Sequence, residues 1–165
     1  MPAPVPYLWF TSEAEEAAPF SVDVFPNSEI TSMVRYPSDD VPGPSRTGDV
    51  LEVSFTLDGA PHVALNGFAD FPFGEAVSLQ VPCADQAEAD RCWERLVEGG
   101  GEHGACGWLK DHHGLSWQVY PRRLMELLGD DRDRAARAFR AMLQMSRIDV
   151  AEIERAADDR TEEPR

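Results

Sequence analysis

The sequence predicts an α+β fold in which two β-α-β-β-β modules form a curved mixed sheet around a cleft, with further helices after them. Two helix-start patterns support the repeat: Ser12-Glu13-Ala14-Glu15 and Asp85-Gln86-Ala87-Glu88. Each follows a strand-like segment and is typical of a helix N-terminus. The recurrence of strand then helix indicates an internal duplication. We expect one domain over residues 1–165, with modules at about 5–68 and 75–121 and a helical extension over 122–159.

The first module begins with a short apolar run, Val5 to Phe10, which predicts a buried strand. The helix that follows contains Pro19. A proline in a helix interior costs roughly 3 kcal/mol because it removes a backbone hydrogen bond. We therefore expect a kink at Pro19 or a helix divided into two turns, ending at Phe25-Pro26-Asn27-Ser28.

Three further segments of the first module are rich in β-branched or aromatic residues and are bounded by Pro, Gly or Asp, which predicts strands. The Asp58-Gly59 pair indicates a tight hairpin between the last two. The segment 37–48, with three prolines and two glycines, predicts a surface loop that either connects two strands or lies over a pocket mouth. The strands are expected at Glu29–Tyr36, Asp49–Leu57 and His62–Leu65.

The second module repeats this plan in less space. A strand is expected over Ala76–Val81, and the following helix ends at the triple glycine of residues 99–101. Only about twenty residues, Glu102 to Pro121, remain for strands, so one strand must be very short or irregular. The apolar face of the helix consists of Ala89, Cys92, Trp93, Leu96 and Val97.

Two helices are predicted after Pro121. Asp130 or Asp131 caps the first, and Ile148-Asp149 starts the second, where Glu152 occupies the capping-box position and Ile148 can pack on Ile153. Their apolar faces must cover either the outer side of the sheet or a partner subunit. The apolar face of the first helix is Ala135, Ala138, Phe139, Met142 and Met145.

The composition is strongly acidic, with thirty acidic residues against fifteen basic ones and a formal net charge of −15. Nucleic acids and anionic membrane surfaces both require a basic footprint, so neither is expected as a partner. The sequence has no apolar run of transmembrane length and no signal-peptide pattern. Three cysteines without an export signal favour a reducing, cytoplasmic location.

The stretch from Cys106 to Gln118 has the greatest chemical variety in the chain, with two tryptophans, a thiol, a lysine, an aspartate and two histidines. Residues 111–114 predict a turn because Asp, His and Gly tolerate turn geometry. The strand after the turn alternates between an apolar and a polar face. The apolar face carries Leu115, Trp117 and Val119, and the polar face carries Ser116, Gln118 and Tyr120.

The same stretch resembles a family signature. Cys-Gly-Trp-Leu-Lys-Asp at 106–111 followed by Gly-Leu-Ser-Trp-Gln at 114–118 is similar to the PhnB-like branch of the vicinal oxygen chelate superfamily, which includes glyoxalases and bleomycin resistance proteins. The resemblance implies a glyoxalase-like fold, and many members carry a demethylubiquinone methyltransferase label. Further matching segments are Leu8-Trp9-Phe10, Phe25-Pro26-Asn27-Ser28, Ala64-Leu65-Asn66-Gly67 and Arg147-Ile148-Asp149.

Enzymes of this superfamily hold a divalent metal ion through His and Glu side chains on four strands. The equivalent positions here lie near Tyr7, Leu65 or Asn66, Ser78 and Gln118, and none is His, Glu, Asp or Cys. Amides and hydroxyls are poor ligands for Zn²⁺ or Ni²⁺, so we expect no metal and no other cofactor. A second set, His103, His112 and His113, is not expected to chelate an ion, because adjacent residues on extended chain point in opposite directions.

Six residues are candidates for ligand binding. Asn66 and Gln118 are the best, because each lies on or at the end of a strand where the superfamily places ligands and can both donate and accept hydrogen bonds. Trp108 fits either a core or a pocket wall. The full set is Trp9, Asn66, Ser78, Trp108, Ser116 and Gln118.

Three residues are candidates for catalysis. Cys106 lies near Lys110 and the histidines, which can lower a thiol pKa, although a free cysteine is often simply buried. Lys110 and Asp111 form either an acid-base or ligand-anchoring pair at the rim of the sheet or a solvated turn.

The function we expect is that of a cytoplasmic, metal-independent protein that binds a small organic molecule and whose reaction, if any, the sequence does not name. The alternatives are a metal-dependent lyase or dioxygenase, a methyltransferase, and a non-catalytic dimeric protein. Methyl transfer is disfavoured, because a common methyl-donor fold needs a glycine-rich turn between a strand and a helix, whereas Gly99-Gly100-Gly101 follows a helix. A homodimer is expected, since open sheet edges and the stripe of Phe139, Met142 and Met145 can be covered by a second copy.

Overall fold

The computed structural model of the chain describes residues 3–129 and 131–159, so the alternative cap Asp130 lies outside the described residues. The α+β fold predicted from the sequence is confirmed. The chain divides into two compact units, Met1–Pro72 and Phe73–Arg165, each with its own four-stranded sheet. Among the described helices, none has the length and apolar character needed to cross a bilayer.

Unit 1 is a β-α-β-β-β module. Its sheet has the order β1-β4-β3-β2, in which β1 is parallel to β4 and the other neighbours are antiparallel. Helix α1 packs on one face of the sheet, against β3 and β4, and buries small side chains such as Ala14 and Ala18. The elements are β1 Tyr7–Phe10, α1 Ala14–Val24, β2 Glu29–Arg35, β3 Val50–Leu57 and β4 Ala60–Asn66.

The hairpin between β3 and β4 turns at Asp58 and Gly59, as predicted. Both residues have positive φ, +45° and +76°, which is the geometry of the tight turn that matches the twist of paired strands. Segment 37–48 forms no helix or strand, in agreement with the predicted loop.

Helix α1 begins differently from the prediction. The capping box at Ser12 is wrong: the N-cap residue is Glu13, which makes no side-chain cap bond. The oxygen that caps α1 comes instead from Asn66, whose Oδ1 accepts a hydrogen bond from the Ala14 N–H at 2.8 Å. The helix is also not divided, since it continues through Pro19 to Val24.

Unit 2 repeats the module with shorter strands. Its sheet has the order β5-β8-β7-β6, with β5 parallel to β8, and α2 packs against β8 and β5. The predicted irregularity is present, because β6 has only two residues and β7 three. The elements are β5 Leu79–Cys83, α2 Gln86–Arg95, β6 Glu102–His103, β7 Trp108–Lys110 and β8 Ser116–Pro121.

The first strand of unit 2 begins later than predicted, at Leu79 rather than Ala76. The predicted cap of α2 is confirmed, since the Asp85 side chain accepts a hydrogen bond from the Glu88 N–H. The Glu88 carboxylate in turn accepts one from the Ala84 N–H at 2.6 Å. These two bonds satisfy backbone donors at the helix start that would otherwise have no partner.

Three helices follow the module in unit 2, one more than predicted: α3 Arg123–Leu128, α4 Arg132–Met142 and α5 Val150–Asp158. Asp131 caps α4 and Asp149 caps α5. Their apolar faces pack on one another, so they bury a core of their own rather than covering only a sheet or a partner. That core consists of Leu124, Leu127, Ala138, Ile148, Ile153 and Ala157.

A side-chain amide connects this helical extension to the module. Gln86, at the start of α2, donates from Nε2 to the Ile148 carbonyl at 2.8 Å and accepts the Val150 N–H at 3.0 Å. Both bonds join residues more than sixty positions apart in sequence. The extension is therefore attached to the start of α2 as well as to the end of β8.

We predict that Asn66→Ala lowers the free energy of unfolding by roughly 2–4 kcal/mol. The substitution removes the cap of α1 and also the bond from Asn66 Nδ2 to the Val50 carbonyl at 3.0 Å, which leaves two buried backbone groups unsatisfied. Urea denaturation measures the change. Ser12→Ala is the control and is expected to stay within about 0.5 kcal/mol of the wild type. An equal loss of stability in both variants would indicate that Ser12 also caps α1.

Candidate functional site

The second sheet has one face that packs against α2 and an opposite face, which we call the open face. The open face carries most of the predicted site residues. In the register of β7 and β8, Trp108 lies opposite Gln118 and Lys110 lies opposite Ser116. Directly paired residues share one face of a sheet, so these four side chains lie together. Leu109 and its partner Trp117 belong to the other face and are buried, in agreement with the predicted alternation.

Polar side chains are joined across β5 and β8 on this open face. The Gln118 amide donates to the Ser78 hydroxyl at 2.7 Å, and the Tyr120 hydroxyl donates to Gln80 Oε1 at 3.3 Å. Gln118 and Tyr120 are half-buried. The structure therefore brings together two residues that the sequence analysis selected forty positions apart, Ser78 and Gln118.

A pocket of about 190 Å³ lies at β6 and β7 of this sheet, next to the start of β8. Ser116 lines it and is only 1% exposed, yet its Oγ has no hydrogen-bond partner among the described residues. A buried polar group without a partner costs on the order of 1–3 kcal/mol, a cost that a hydrogen bond between the Ser116 hydroxyl and a bound molecule would remove. The complete lining is Glu75, Glu102, His103, Gly104, Trp108, Leu109, Lys110 and Ser116.

Two residues of the lining form an ion pair, in which Lys110 Nζ lies 2.6 Å from Glu75 Oε1. Their hydrogen bond lowers the pKa of the Glu75 carboxyl and raises the pKa of the Lys110 ammonium. Both shifts favour the charged forms, so the pair stays ionised. The Glu75 side chain is 62% exposed and the Lys110 side chain 39%.

Asp111 is separated from its neighbour Lys110, because Lys110 ends β7 with its side chain at the pocket, whereas the Asp111 side chain bonds Trp117 on the buried face. It is not part of a solvated turn, since it is 4% exposed. Its carboxylate accepts hydrogen bonds from Trp117 Nε1 at 2.9 Å and from the N–H groups of Leu115 and His113. Burial raises the pKa of the Asp111 carboxyl, and these hydrogen bonds only partly offset the increase.

Cys106 lies outside the pocket lining, in the loop between β6 and β7. It is half-buried and adopts a left-handed backbone, with φ of +56°. Its N–H donates to the Met145 carbonyl at 2.8 Å, and the N–H of Gly107 donates to the Ser146 carbonyl at 2.7 Å. The loop is thus held by the segment after α4.

In unit 1, Trp9 and Asn66 lie on opposite faces of the sheet. Trp9 pairs with Leu65, is half-buried and donates from Nε1 to the Ala69 carbonyl at 2.7 Å. Asn66 is buried on the side of α1, where its amide bonds Ala14 and Val50. Asn66 thus serves the backbone of α1 and β3 and does not line the pocket of unit 2.

The Trp9 ring requires a glycine beside it. A Cβ added at Gly67 would lie 2.1 Å from the indole ring, far inside van der Waals contact. Two exposed phenylalanines meet the same ring edge to face, Phe68 at 5.5 Å and Phe71 at 5.3 Å. Trp9 thus belongs to a local aromatic cluster.

The positions at which the resemblance implies metal ligands carry side chains that do not fit a divalent ion. Tyr7 donates to Glu52 at 2.8 Å, and burial together with this bond raises its pKa to about 12, so the phenol stays protonated. Leu65 has no donor atom, and Ser78 and Gln118 offer only neutral oxygens. Within residues 3–129 and 131–159, no group of three or more His, Cys, Asp or Glu side chains could hold a metal ion.

The histidines differ from the expectation in one respect. His112 and His113 do not point apart, because residues 111–114 form a turn, and their ring centroids lie 3.9 Å apart. His103 stacks on Trp93 at 4.4 Å and lines the pocket. Sequence reasoning considered His103 only as a metal ligand and missed Glu75 and Glu102, which had no motif to mark them.

We predict that Asp111 makes stability fall with rising pH. Because folding raises its pKa above the ordinary 3.8, the folded chain retains this proton to a higher pH than the unfolded chain. The stabilisation is therefore complete below the unfolded pKa and is lost as pH rises through the folded one. Asp111→Asn does not titrate, so the unfolding free energy of the wild type minus that of the variant should decrease from pH 4 to 7. Urea denaturation across this range measures this quantity, and an increase would contradict the assignment.

Comparisons with known proteins identify the family and the fold. A family model described as 3-demethylubiquinone-9 3-methyltransferase matches residues 2–120. The chain is 32% identical to a Bacillus cereus PhnB protein described provisionally as a 3-demethylubiquinone-9 3-methyltransferase, with a TM-score of 0.63 over 72% of this chain and 98% of that one.

A second solved structure supports the fold alone. Protein PA1353 from Pseudomonas aeruginosa is 21% identical, with a TM-score of 0.55 over 71% of this chain and 95% of that chain. No curated protein matches the chain. The family match and the Bacillus cereus structure together confirm the resemblance seen in the 106–118 signature, and the chain belongs to the PhnB-like family whose model carries the 3-demethylubiquinone-9 3-methyltransferase description.

Proposed function

We propose that this protein binds a small organic molecule on the open face of the second sheet, without a metal ion. The observation that carries the proposal is the pocket beside β7 and β8, where the buried Ser116 hydroxyl has no partner among the described residues. Ligand sites combine apolar walls with a few polar groups that fix orientation. A ligand oxygen or nitrogen would complete the hydrogen bonding of Ser116.

The residues around the pocket suit a molecule with a flat or apolar body. Trp108 lines the wall and offers an aromatic surface. Gln118 does not line the pocket itself, but it pairs with Trp108 across β7 and β8 and so lies next to the lining on the same face, where its amide can both donate and accept hydrogen bonds. The hydrogen bond from Gln118 to Ser78 holds that amide in place, so the orientation of the amide is set before a ligand arrives.

Catalysis is not part of the proposal. Asp111 is occupied by three hydrogen bonds on the buried side, and Cys106 lies outside the pocket. Methyl transfer, which the family description suggests, lacks support from the glycines, because residues 99–101 follow α2 and precede β6. We propose binding as the activity and leave the reaction open.

The proposed cellular form is a cytoplasmic homodimer. Strand β2 forms an edge of the first sheet and is exposed along its whole length, including the apolar side chains of Ile30, Met33 and Val34. An exposed edge strand presents backbone N–H and C=O groups that can pair with a strand of another chain. Phe139 on α4 and Leu143 at the C-cap of α4 are also exposed, whereas Met142 and Met145 pack partly against the helical core.

The dimer is tested by analytical ultracentrifugation. We expect a species of twice the monomer mass of 18.3 kDa at micromolar concentration. Val34→Glu, which places a charge on β2, should shift the protein to monomer, whereas Ala151→Glu, on the exposed side of α5, should not. A wild-type monomer would contradict the proposal, and equal sedimentation of both variants would exclude β2 as the interface.

Binding is tested with a fragment library screened by thermal shift in the presence of EDTA. We expect fragments that stabilise the wild type and bind Gln118→Ala more weakly by about 0.5–1.5 kcal/mol, the usual net value of a neutral hydrogen bond. Gln118→Ala should fold normally. Metal that remains stoichiometric after dialysis, or binding that EDTA abolishes, would contradict the metal-free proposal.

Trp117→Ala is the contrasting variant. Trp117 is 1% exposed and donates to Asp111, so its truncation should cost roughly 3–5 kcal/mol of stability. Chemical denaturation measures this loss. If Trp117→Ala were tolerated while Gln118→Ala unfolded the protein, Trp117 rather than Gln118 would belong to the binding face.

A further inference from the structure

We propose that the ligand of this pocket carries a carboxylate and that Glu75 holds the place of that carboxylate in the unliganded protein. The inference rests on the proposed binding function and names the chemical class of the ligand. Three features of unit 2 carry it: the ion pair of Lys110 with Glu75, the position of Ser116, and the charge of Glu102.

The first feature is that Glu75 is an exchangeable partner. It comes from the segment before β5, in a turn that belongs to no helix or strand, and reaches Lys110 at 2.6 Å. Glu75 and Lys110 are 62% and 39% exposed. Exposed ion pairs contribute little to stability, because water screens the charges and two long side chains must be ordered. A competing carboxylate can therefore replace Glu75 at small cost.

The second feature is a hydrogen-bond donor that Glu75 leaves unused. Ser116 lies directly opposite Lys110 in the β7-β8 register, and its buried Oγ has no partner among the described residues. A carboxylate has two oxygens, each able to accept hydrogen bonds. One oxygen on the Lys110 ammonium and the other on the Ser116 hydroxyl would satisfy both groups, which Glu75 as placed does not do.

The third feature limits the charge of the ligand. Glu102 pairs with Lys110 across β6 and β7 and lines the same pocket. Once Glu75 has moved away, a single lysine faces Glu102 together with the ligand, and His103 is the only other titratable side chain of the lining. A second negative charge on the ligand would meet Glu102 without a second cation. A monocarboxylate is therefore favoured over a phosphate dianion.

The pocket also limits the size and shape of the ligand. Its volume of about 190 Å³ is below the range of about 300–1,000 Å³ typical of drug-sized sites. Trp108 supplies an aromatic wall on the same face as Lys110. The class that fits is a small monocarboxylic acid with a flat or apolar body.

The experiment compares benzoate with benzamide, a neutral molecule of nearly the same shape, by titration calorimetry on the full chain. We expect benzoate to bind the wild type severalfold more tightly than benzamide. Glu75→Gln should tighten benzoate binding by about three- to tenfold, because Lys110 loses its internal partner. Lys110→Met should abolish the preference for benzoate, and Ser116→Ala should weaken benzoate binding several-fold.

Glu98→Gln is the matched control. Glu98 is an exposed carboxylate of the same unit that pairs with Arg95 and lies outside the pocket lining. The Glu98→Gln substitution removes the same charge as Glu75→Gln, so an effect of net charge alone would change the benzoate affinity of both variants equally. Equal affinities for benzoate in the two variants would overturn the proposal for Glu75.

The remaining outcomes separate this inference from the binding function. Equal binding of benzamide and benzoate, reduced in Ser116→Ala, would overturn the carboxylate inference and leave the binding function intact. No benzoate binding to Glu75→Gln at millimolar concentration would also overturn the inference. If the fragment screen yielded no ligand as well, the binding function would fail with it.

Discussion

The buried carboxylate of Asp111 is the constraint on which the second sheet depends. It accepts hydrogen bonds from the N–H groups of His113 and Leu115 and from the indole of Trp117, so one side chain closes the turn and fixes the core tryptophan. The turn sets the register in which Lys110 faces Ser116. The pocket on the open face is therefore positioned by a charge on the buried face, and the cost of burying that charge is visible in its raised pKa.

Side-chain amides perform a related task elsewhere. Asn66, at the end of β4, caps α1, and Gln86, at the start of α2, bonds the segment that opens α5. In each case one amide serves backbone groups from a distant part of the chain. An amide suits this role because it carries a donor and an acceptor together. Local sequence patterns cannot reveal such bonds, since the partners are far apart along the chain.

Much of the fold could be predicted from periodicity and turn chemistry. The Asp58-Gly59 hairpin and the Asp85 cap depend on a few adjacent residues. The number of residues left after the triple glycine predicted one very short or irregular strand, and β6 has only two residues. The errors arose where tertiary contacts decide. Ser12 has a good capping sequence, yet Asn66 supplies the cap, and Asp111 has the charge of a surface residue, yet it is buried. Glu75 in the pocket lies in a turn without any motif, so only its contact with Lys110 identifies it.

The segment between α4 and α5 supports the loop between β6 and β7, although it lies far from that loop in the sequence. The family match ends at residue 120, but the carbonyls of Met145 and Ser146 accept the N–H groups of Cys106 and Gly107, and the Ser146 hydroxyl donates to the Gly104 carbonyl. Gly104 and Trp108, at the two ends of this loop, both line the pocket. One wall of the pocket is thus supported by residues that lie outside the region matched by the family model.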